Sequence, residues 1–216
     1  VQLLDANDGT HLWADTYDRD LSASDIFSVQ DNITEQVVGT IGSNWGVISR
    51  ARFAEIRGKP TDSLDAYECV LQVGAYYRDN YIATEHVKVR ACLERAVKSD
   101  PGYADAWASL ARVYIDEHRF NYNPRLNPLD RALKAARRAV ESDPAHQGAH
   151  EALANTHFFR HELDEFLAET ERTIALNPNN AVMLARSGER LIWAGHPRGI
   201  LLVRKAMKLD PFHPTW

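Results

Sequence analysis

No apolar run in the chain exceeds a few residues, so nothing in it could cross a bilayer as a helix, which takes about 20 consecutive apolar residues. The opening VQLLDANDG lacks the charged-then-apolar pattern of a secretory leader, and a cytoplasmic setting is the expectation. Basic residues are outnumbered, 25 Lys and Arg against 30 Asp and Glu, which leaves no excess for a nucleic-acid face. Neither a membrane nor a nucleic acid is therefore expected as a direct partner. Cysteine is scarce: Cys69 and Cys92 form no Cys-x-x-Cys and are read as reduced thiols packing a core. A Gly-rich phosphate loop, a nucleophile elbow and a His-Glu-x-x-His zinc motif are all missing. No catalytic residue and no cofactor are expected. Asp15, Asp18 and Asp20 come nearest to an acid cluster, but on a strand they alternate faces around Arg19 and read as solvated charges.

What the chain does have is repetition. In ACLERAVKSDPGYADAWASLARVY, Ala91 to Tyr114, a helix ends, a proline marks a turn and a new helix begins. The same punctuation recurs at Asp100-Pro101, Asp143-Pro144, Asn177-Pro178 and Asp210-Pro211, spacing the prolines 43, 34 and 33 residues apart. A fixed period of this length outranks any local motif in deciding a fold. Trp107, Leu110, Ala111 and Tyr114 fall on the first helix of one unit, and Ala132, Ala136, Ala139 and Pro144 on its second. In this order and spacing the units resemble the tetratricopeptide repeat (TPR), a helix-turn-helix of about 34 residues.

That resemblance implies a mainly α fold, a right-handed α-solenoid of about four repeats at about 63–101, 104–144, 147–178 and 181–211, with 212–216 opening a further one. The first repeat pairs Ser63 to Asp79 with Thr84 to Ser99 across a turn about three residues longer than usual. The second carries an insertion, RFNYNPRLN, between Ala104 to His118 and Pro128 to Ser142, whose asparagines and prolines indicate an ordered surface loop. Gly74, Ala111, Ala154 and Gly188 take the place where helices cross closely and a bulky side chain would force the axes apart.

Residues 1–60 read differently. VQLLD and THLWADTYDRDL flank an Asp-Gly turn signal and form a hairpin over 1–21, with Trp13 and Tyr17 as its buried-face residues. A helix, or a broken one, follows over 24–57: Ser24 caps it, Ile26, Val29, Ile33, Val37 and Ile41 form its stripe, and Trp45, Ile48, Arg52 and Ile56 resume that stripe. Gly39, Gly42 and Gly46 each weaken a helix interior by about 1 kcal/mol, which predicts a break near 42–44. Gly9, Trp13, Tyr17, Asp18, Arg19 and Asp20 make this stretch similar to the end of a small α/β linker domain. That domain precedes TPR arrays in bacterial class III adenylate/guanylate cyclase-like proteins and in winged-helix regulators. The resemblance implies a remnant of such a domain and a catalytic or DNA-binding output elsewhere in a longer protein.

The expected role is a non-catalytic interaction module. In such repeats the first helices line a concave groove, here through Arg78, Asp105, Arg112, Ile115, Asp116, Glu151, Asn155, Phe158, Phe159, Glu189, Ile192 and Trp193. Apolar anchors among scattered polar groups suit an extended or helical peptide, an adjacent domain, or a segment of the chain itself. The two-carboxylate clamp of some chaperone-binding TPRs needs Lys and Asn where this chain has Leu71 and Ala75, which disfavours that partner class. His146, His150, His157 and His161 fall within about 60° of one another on a helix and are weak candidates for a Zn or Ni site. Two of them, however, occupy packing positions. A hairpin without further strands and a solenoid without a cap both leave apolar or unpaired surface, so a homodimer is a further expectation.

Overall fold

The computed structural model describes residues 1–6, 8–18, 26–42, 47–56, 59 and 64–210. Several expectations fall outside the described residues: Arg19, Asp20, the Ser24 cap, Trp45, Gly46, Ser63, Pro211 and the segment 212–216. Strands β1 (Gln2–Leu4) and β2 (His11–Ala14) pair antiparallel, with Leu3 opposite Trp13 and an irregularity between Leu3 and Leu4. Gly9 takes φ +73°, and the Thr10 amide donates to Asp8 Oδ1 at 2.9 Å. That geometry is why the turn is written Asp-Gly. Leu3, Trp13 and Tyr17 are half-buried, and Leu12 is too.

Helix α1 (Ile26–Gly42) half-buries Val29, Ile33, Val37 and Ile41, while Ile26 is exposed. Helix α2 (Val47–Ile56) touches β2, and α1 reaches as far as the last described helix. The stripe expected on α2 is corrected. Val47 is buried and Ala51 half-buried, whereas Ile48 and Arg52 are exposed. A phase extrapolated from α1 does not carry over to α2, which has its own register; of the break expected near 42–44, Gly42 still belongs to α1 and residues 43 and 44 lie outside the described ones.

Four helical hairpins follow: α3 (Ala66–Asp79) with α4 (Ala83–Ser99), α5 (Ala104–Phe120) with α6 (Pro128–Ser142), α7 (Gln147–Phe159) with α8 (Leu163–Leu176), and α9 (Ala181–Trp193) with α10 (Arg198–Leu209). The recurring dipeptide is a physical stop. Side-chain oxygens of Asp100, Asp143 and Asn177 accept from the amides two residues on, Gly102 at 3.3 Å, Ala145 at 2.9 Å and Asn179 at 3.1 Å. The intervening proline cannot extend the helix, so each turn is closed by its own side chain. Helix α3 opens with a reciprocal cap, Glu68 N donating to Asp65 Oδ1 at 2.8 Å and Asp65 N to Glu68 Oε2 at 3.1 Å.

A continuous core runs from α3 to α7 around Tyr76, Leu93, Leu110 and Ile115, with alanines where helices meet. Burying each of the larger aliphatic side chains contributes roughly 1.5–3 kcal/mol. Trp107 is half-buried and donates Nε1–H to the Pro101 carbonyl at 3.0 Å, and the buried Tyr114 hydroxyl donates to Glu94 Oε1 at 3.1 Å. These two rings tie the second hairpin to the end of the first. First helices follow one another directly, α3 on α5, α5 on α7 and α7 on α9. The layer in which successive helices touch is the shorter arc, so α3, α5, α7 and α9 form the concave side of the solenoid.

Four expectations are corrected here. Cys69 and Cys92 are not reduced: α3 and α4 bring their Cα atoms within 5.5 Å and the sulfurs are bonded to each other. The link between α3 and α4 is no longer than that between α7 and α8, because the extra length of the first repeat lies in the 17 residues of α4. Helix α5 continues past His118 to Phe120, where Asn121 ends it in the left-handed region. Gly74 has no neighbour within 4 Å of where a Cβ would sit, so helix approach does not require it. Gly188 does: its Cβ would stand 2.8 Å from the Gly199 carbonyl oxygen.

Candidate functional site

The concave face is built from residues three, four or seven apart on the first helices. On α5, Arg112 and Arg119 share a face; on α9, Arg186, Arg190 and Trp193 do. Phe158 and Phe159 end α7 between them. Phe158 meets Phe159 at a ring-centre distance of 5.1 Å, Phe166 at 5.4 Å and Trp193 at 6.3 Å. Arg119 lies over Phe159 and Trp193 at 5.2 and 5.4 Å, and Arg190 over the same rings at 5.5 and 4.4 Å. Cation and ring faces attract, and these contacts align three successive repeats.

The twelve residues expected to line the groove divide into two groups. Phe158, Phe159 and Asp105 are half-buried, Ile192 and Trp193 exposed at 43% and 50%, and Glu189 exposed as well. Arg78 and Arg112 are half-buried, Arg78 pairing with Asp79 at 2.9 Å and Arg112 donating to Ser109 Oγ at 3.1 Å. Ile115, Asp116, Glu151 and Asn155 are buried. Asp116 accepts from the hydroxyls of Tyr81 at 2.7 Å, Tyr77 at 2.9 Å and Tyr76 at 3.4 Å. Burial raises its carboxyl above the ordinary value, against the pull of those hydroxyls. Burial, reinforced by the Asp116 charge, likewise raises Tyr76, Tyr77 and Tyr81, so the phenols stay protonated as donors. Asn155 Oδ1 accepts from Arg190 Nε at 2.6 Å.

Arg119, Arg186 and Arg190 belong to this face, and reading the sequence for packing positions missed them. Their spacing was the available signal: Arg186, Arg190 and Trp193 recur at i, i+4 and i+7. Desolvation lowers the pKa of Arg186 below the ordinary arginine value, helped by the Arg112 charge; desolvation lowers Arg190 too, with Arg119 adding to it.

The four histidines do not converge. His146 lies 3.1 Å from Asp105 and caps α7 by accepting from the Ala149 amide through Nδ1 at 3.0 Å. His150 meets Glu169 and His157 meets Glu162, each at 2.6 Å. His161 occupies the turn with φ +61°. No group of three or more His, Cys, Asp or Glu among the described residues could hold a metal ion.

Paired antiparallel helices, stacked with their first members inward and stopped at Asx-Pro turns, define the TPR type of α-solenoid. Of solved structures, the chain is similar to TTC0263, a thermophilic TPR protein of Thermus thermophilus, with a TM-score of 0.60 and 14% identity over 84% of this chain and 92% of that one. A crystal structure of MamA matches at a TM-score of 0.45 and 16% identity, over 79% of this chain and 90% of that one. Likeness at such identity concerns the fold alone. In sequence, the chain is 32% identical over 123 residues to "Putative adenylate cyclase 3" of Rhizobium meliloti (strain 1021), across 57% of this chain. It covers 20% of that relative's length. No family model matches the chain. No described helix is long and apolar enough to cross a membrane.

Proposed function

We propose that the chain is a non-catalytic protein-interaction module whose concave face takes a peptide or an adjacent domain, and that it serves a regulatory role within a longer signalling protein of the adenylate-cyclase kind. The observation that carries this reading is the set of Phe158, Phe159 and Trp193 on the inner layer, held in place by Arg119 and Arg190 yet open at Trp193. Rigid rings in a groove bind at little entropic cost, which is where binding energy concentrates. The similarity to part of a cyclase-named protein supports the signalling context, and the hairpin and helices before residue 60 are read as the joint to that output.

Selection of a random dodecapeptide display library against the 216-residue chain tests the module. Enrichment that disappears with Trp193→Ala is the expected result, and no enrichment over an empty support would overturn it. Incubated with ATP or GTP and Mn²⁺, the chain should form no cyclic nucleotide. Turnover above buffer would end the non-catalytic reading.

The proposed location is the cytoplasm. The bonded Cys69 and Cys92 pull against it, because cytosolic thiols are held reduced. Alkylation at the moment of cell lysis decides: both cysteines blocked by the reagent supports a cytoplasmic location, and both protected from it argues for an oxidising compartment.

A further inference from the structure

Helix α3 is held to the array by two unlike fastenings. Its C-terminal half is hydrogen-bonded, the Tyr76 and Tyr77 hydroxyls donating to Asp116 on α5 at 3.4 and 2.9 Å. Its N-terminal half is held covalently. Cys69 is bonded to Cys92 of α4, and among the described residues no side chain from Ala66 to Gln72 hydrogen-bonds to α4 or α5. Gln72 Oε1 is closed off from solvent and accepts from no described residue, and nothing lies within 4 Å of where a Cβ on Gly74 would sit. An orphaned acceptor and an interior glycine both lower the cost of lifting this half, so the disulfide is what keeps it down. Cys69 is 1% exposed and Cys92 0%, so a reagent reaches sulfur only while α3 is lifted. Arg95 Nη2 donates to Cys92 Sγ at 3.7 Å, and a cation beside that sulfur favours its thiolate.

Resting on the cytoplasmic location and the joint proposed above, we infer that Cys69 and Cys92 form a thiol–disulfide exchange site, which a dithiol reductant opens to unclasp α3 and a peroxide closes again. A disulfide in a compartment that keeps thiols reduced is a transient, redox-sensing one. The reductant's thiolate attacks Cys69 Sγ; the S–S bond breaks and its electron pair goes to Cys92 Sγ, the thiolate that Arg95 makes the better leaving group. The second thiol of the reductant then displaces Cys69, and the two protons of the dithiol end on the two cysteines as the reductant leaves as a cyclic disulfide. In the other direction, the Cys92 thiolate takes an oxygen from hydrogen peroxide to become a sulfenic acid, and the Cys69 thiol displaces that oxygen as water. Two thiols and one peroxide thus give one disulfide and two waters. Glu68, next to Cys69, pairs with Lys59 at 2.5 Å, and α2 packs on α3, so lifting this half loosens the hold of the array on the joint.

Hydrogen exchange read by mass spectrometry compares the 216-residue chain before and after treatment with millimolar dithiothreitol, without denaturant. The bond should open within an hour, and amides of α2 and of residues 66–72 should then exchange about tenfold faster while α5 to α9 stay as they were. A bond that opens only in urea, exchange that does not change, or exchange that quickens along the whole array would overturn the exchange site. Quickening in α3 with α2 unmoved would keep the site and end the joint reading. Arg95→Gln, whose oxidised form should exchange like the parent chain, should raise the pH at which the reduced chain reacts half-maximally with peroxide. An unmoved midpoint would remove Arg95 from the exchange. In cells, alkylation at lysis should find both cysteines blocked at rest and both protected after brief peroxide. Cysteines blocked at both times would overturn the exchange site and keep the location; cysteines protected at both times would overturn the location and the switching with it.

Discussion

At the scale of single residues, the solenoid stakes much of its stability on Glu117. Its side chain is fully buried and accepts from Arg90 Nη1 at 2.8 Å, from Arg131 Nη2 and from the Arg125 amide at 3.0 Å, which fastens the insertion loop to α4 and α5. Burial pushes its carboxyl up, but the two arginines and the amide pull harder and hold it below the ordinary 4.5. A lowered folded value contributes stability that is present above 4.5 and lost as the pH falls through the folded value. Glu117→Gln leaves the buried Arg90 without a counter-charge and should cost about 3–5 kcal/mol in urea unfolding, with a flatter acid limb. A change within about 0.5 kcal/mol would place the network outside the structure's energetics. His146 runs the opposite way. Its hydrogen bond to Asp105 raises the imidazole above 6.5, against burial and against the cap bond that needs a neutral Nδ1. That contribution is full below 6.5 and fades as the pH rises through the folded value. Asp105→Asn should lower the His146 value in an NMR titration, and because Asp105 is half exposed the stability change should be small. An unmoved titration would show that Asp105 does not hold the charge.

At the scale of elements, glycines separate a packing requirement from a coincidence of register. Gly188 and Gly199 let α9 and α10 cross with backbones in contact, so Gly188→Ala should cost about 1–3 kcal/mol by forcing the helices apart. Gly74→Ala meets nothing within 4 Å inside α3 and should stabilise by about 0.5–1 kcal/mol. Chemical denaturation of both variants checks the pair, and equal effects would contradict this assignment. The two glycines look alike in sequence, because a repeat alignment gives position and not distance to the neighbouring helix. Helices stopped by Asx-Pro were legible for a local reason: side chain, turn and proline all lie within three residues. The phase of α2 was not legible, since a stripe read along α1 gives no register for a second helix that begins at Val47. Joining Cys69 to Cys92 depends on how α3 and α4 rotate against each other, and composition argued the other way. In the groove, Phe158, Phe159 and Trp193 stood out as apolar residues out of step with the packing stripe. The arginines needed the partner helices before their neighbours could be named.

At the scale of the whole molecule, a solenoid is a stack in which each hairpin is covered by the next, and the last described helix, packed on α9 and touched by α1, still leaves large apolar side chains exposed. On α10, Ile200 is 51% exposed, Leu201 63% and Met207 46%, although Gly199 and Ala206 on the same helix are buried against the fourth hairpin. Ile200 and Met207 stand seven residues apart and so lie on one side of the helix, with Leu201 beside them. An apolar strip of this kind on a soluble surface favours association, and a second copy is the occupant always present at the protein's own concentration. Two-fold pairing through α10 would lay like residues against each other and leave the concave face free, so dimerisation and peptide binding need not compete. Light scattering coupled to gel filtration should show the apparent mass rising with loading concentration, and Leu201→Glu should return it to that of the 24.4 kDa chain. A monomer at every concentration would rule out the α10 dimer, and a dimer that Leu201→Glu leaves intact would move the contact to another surface.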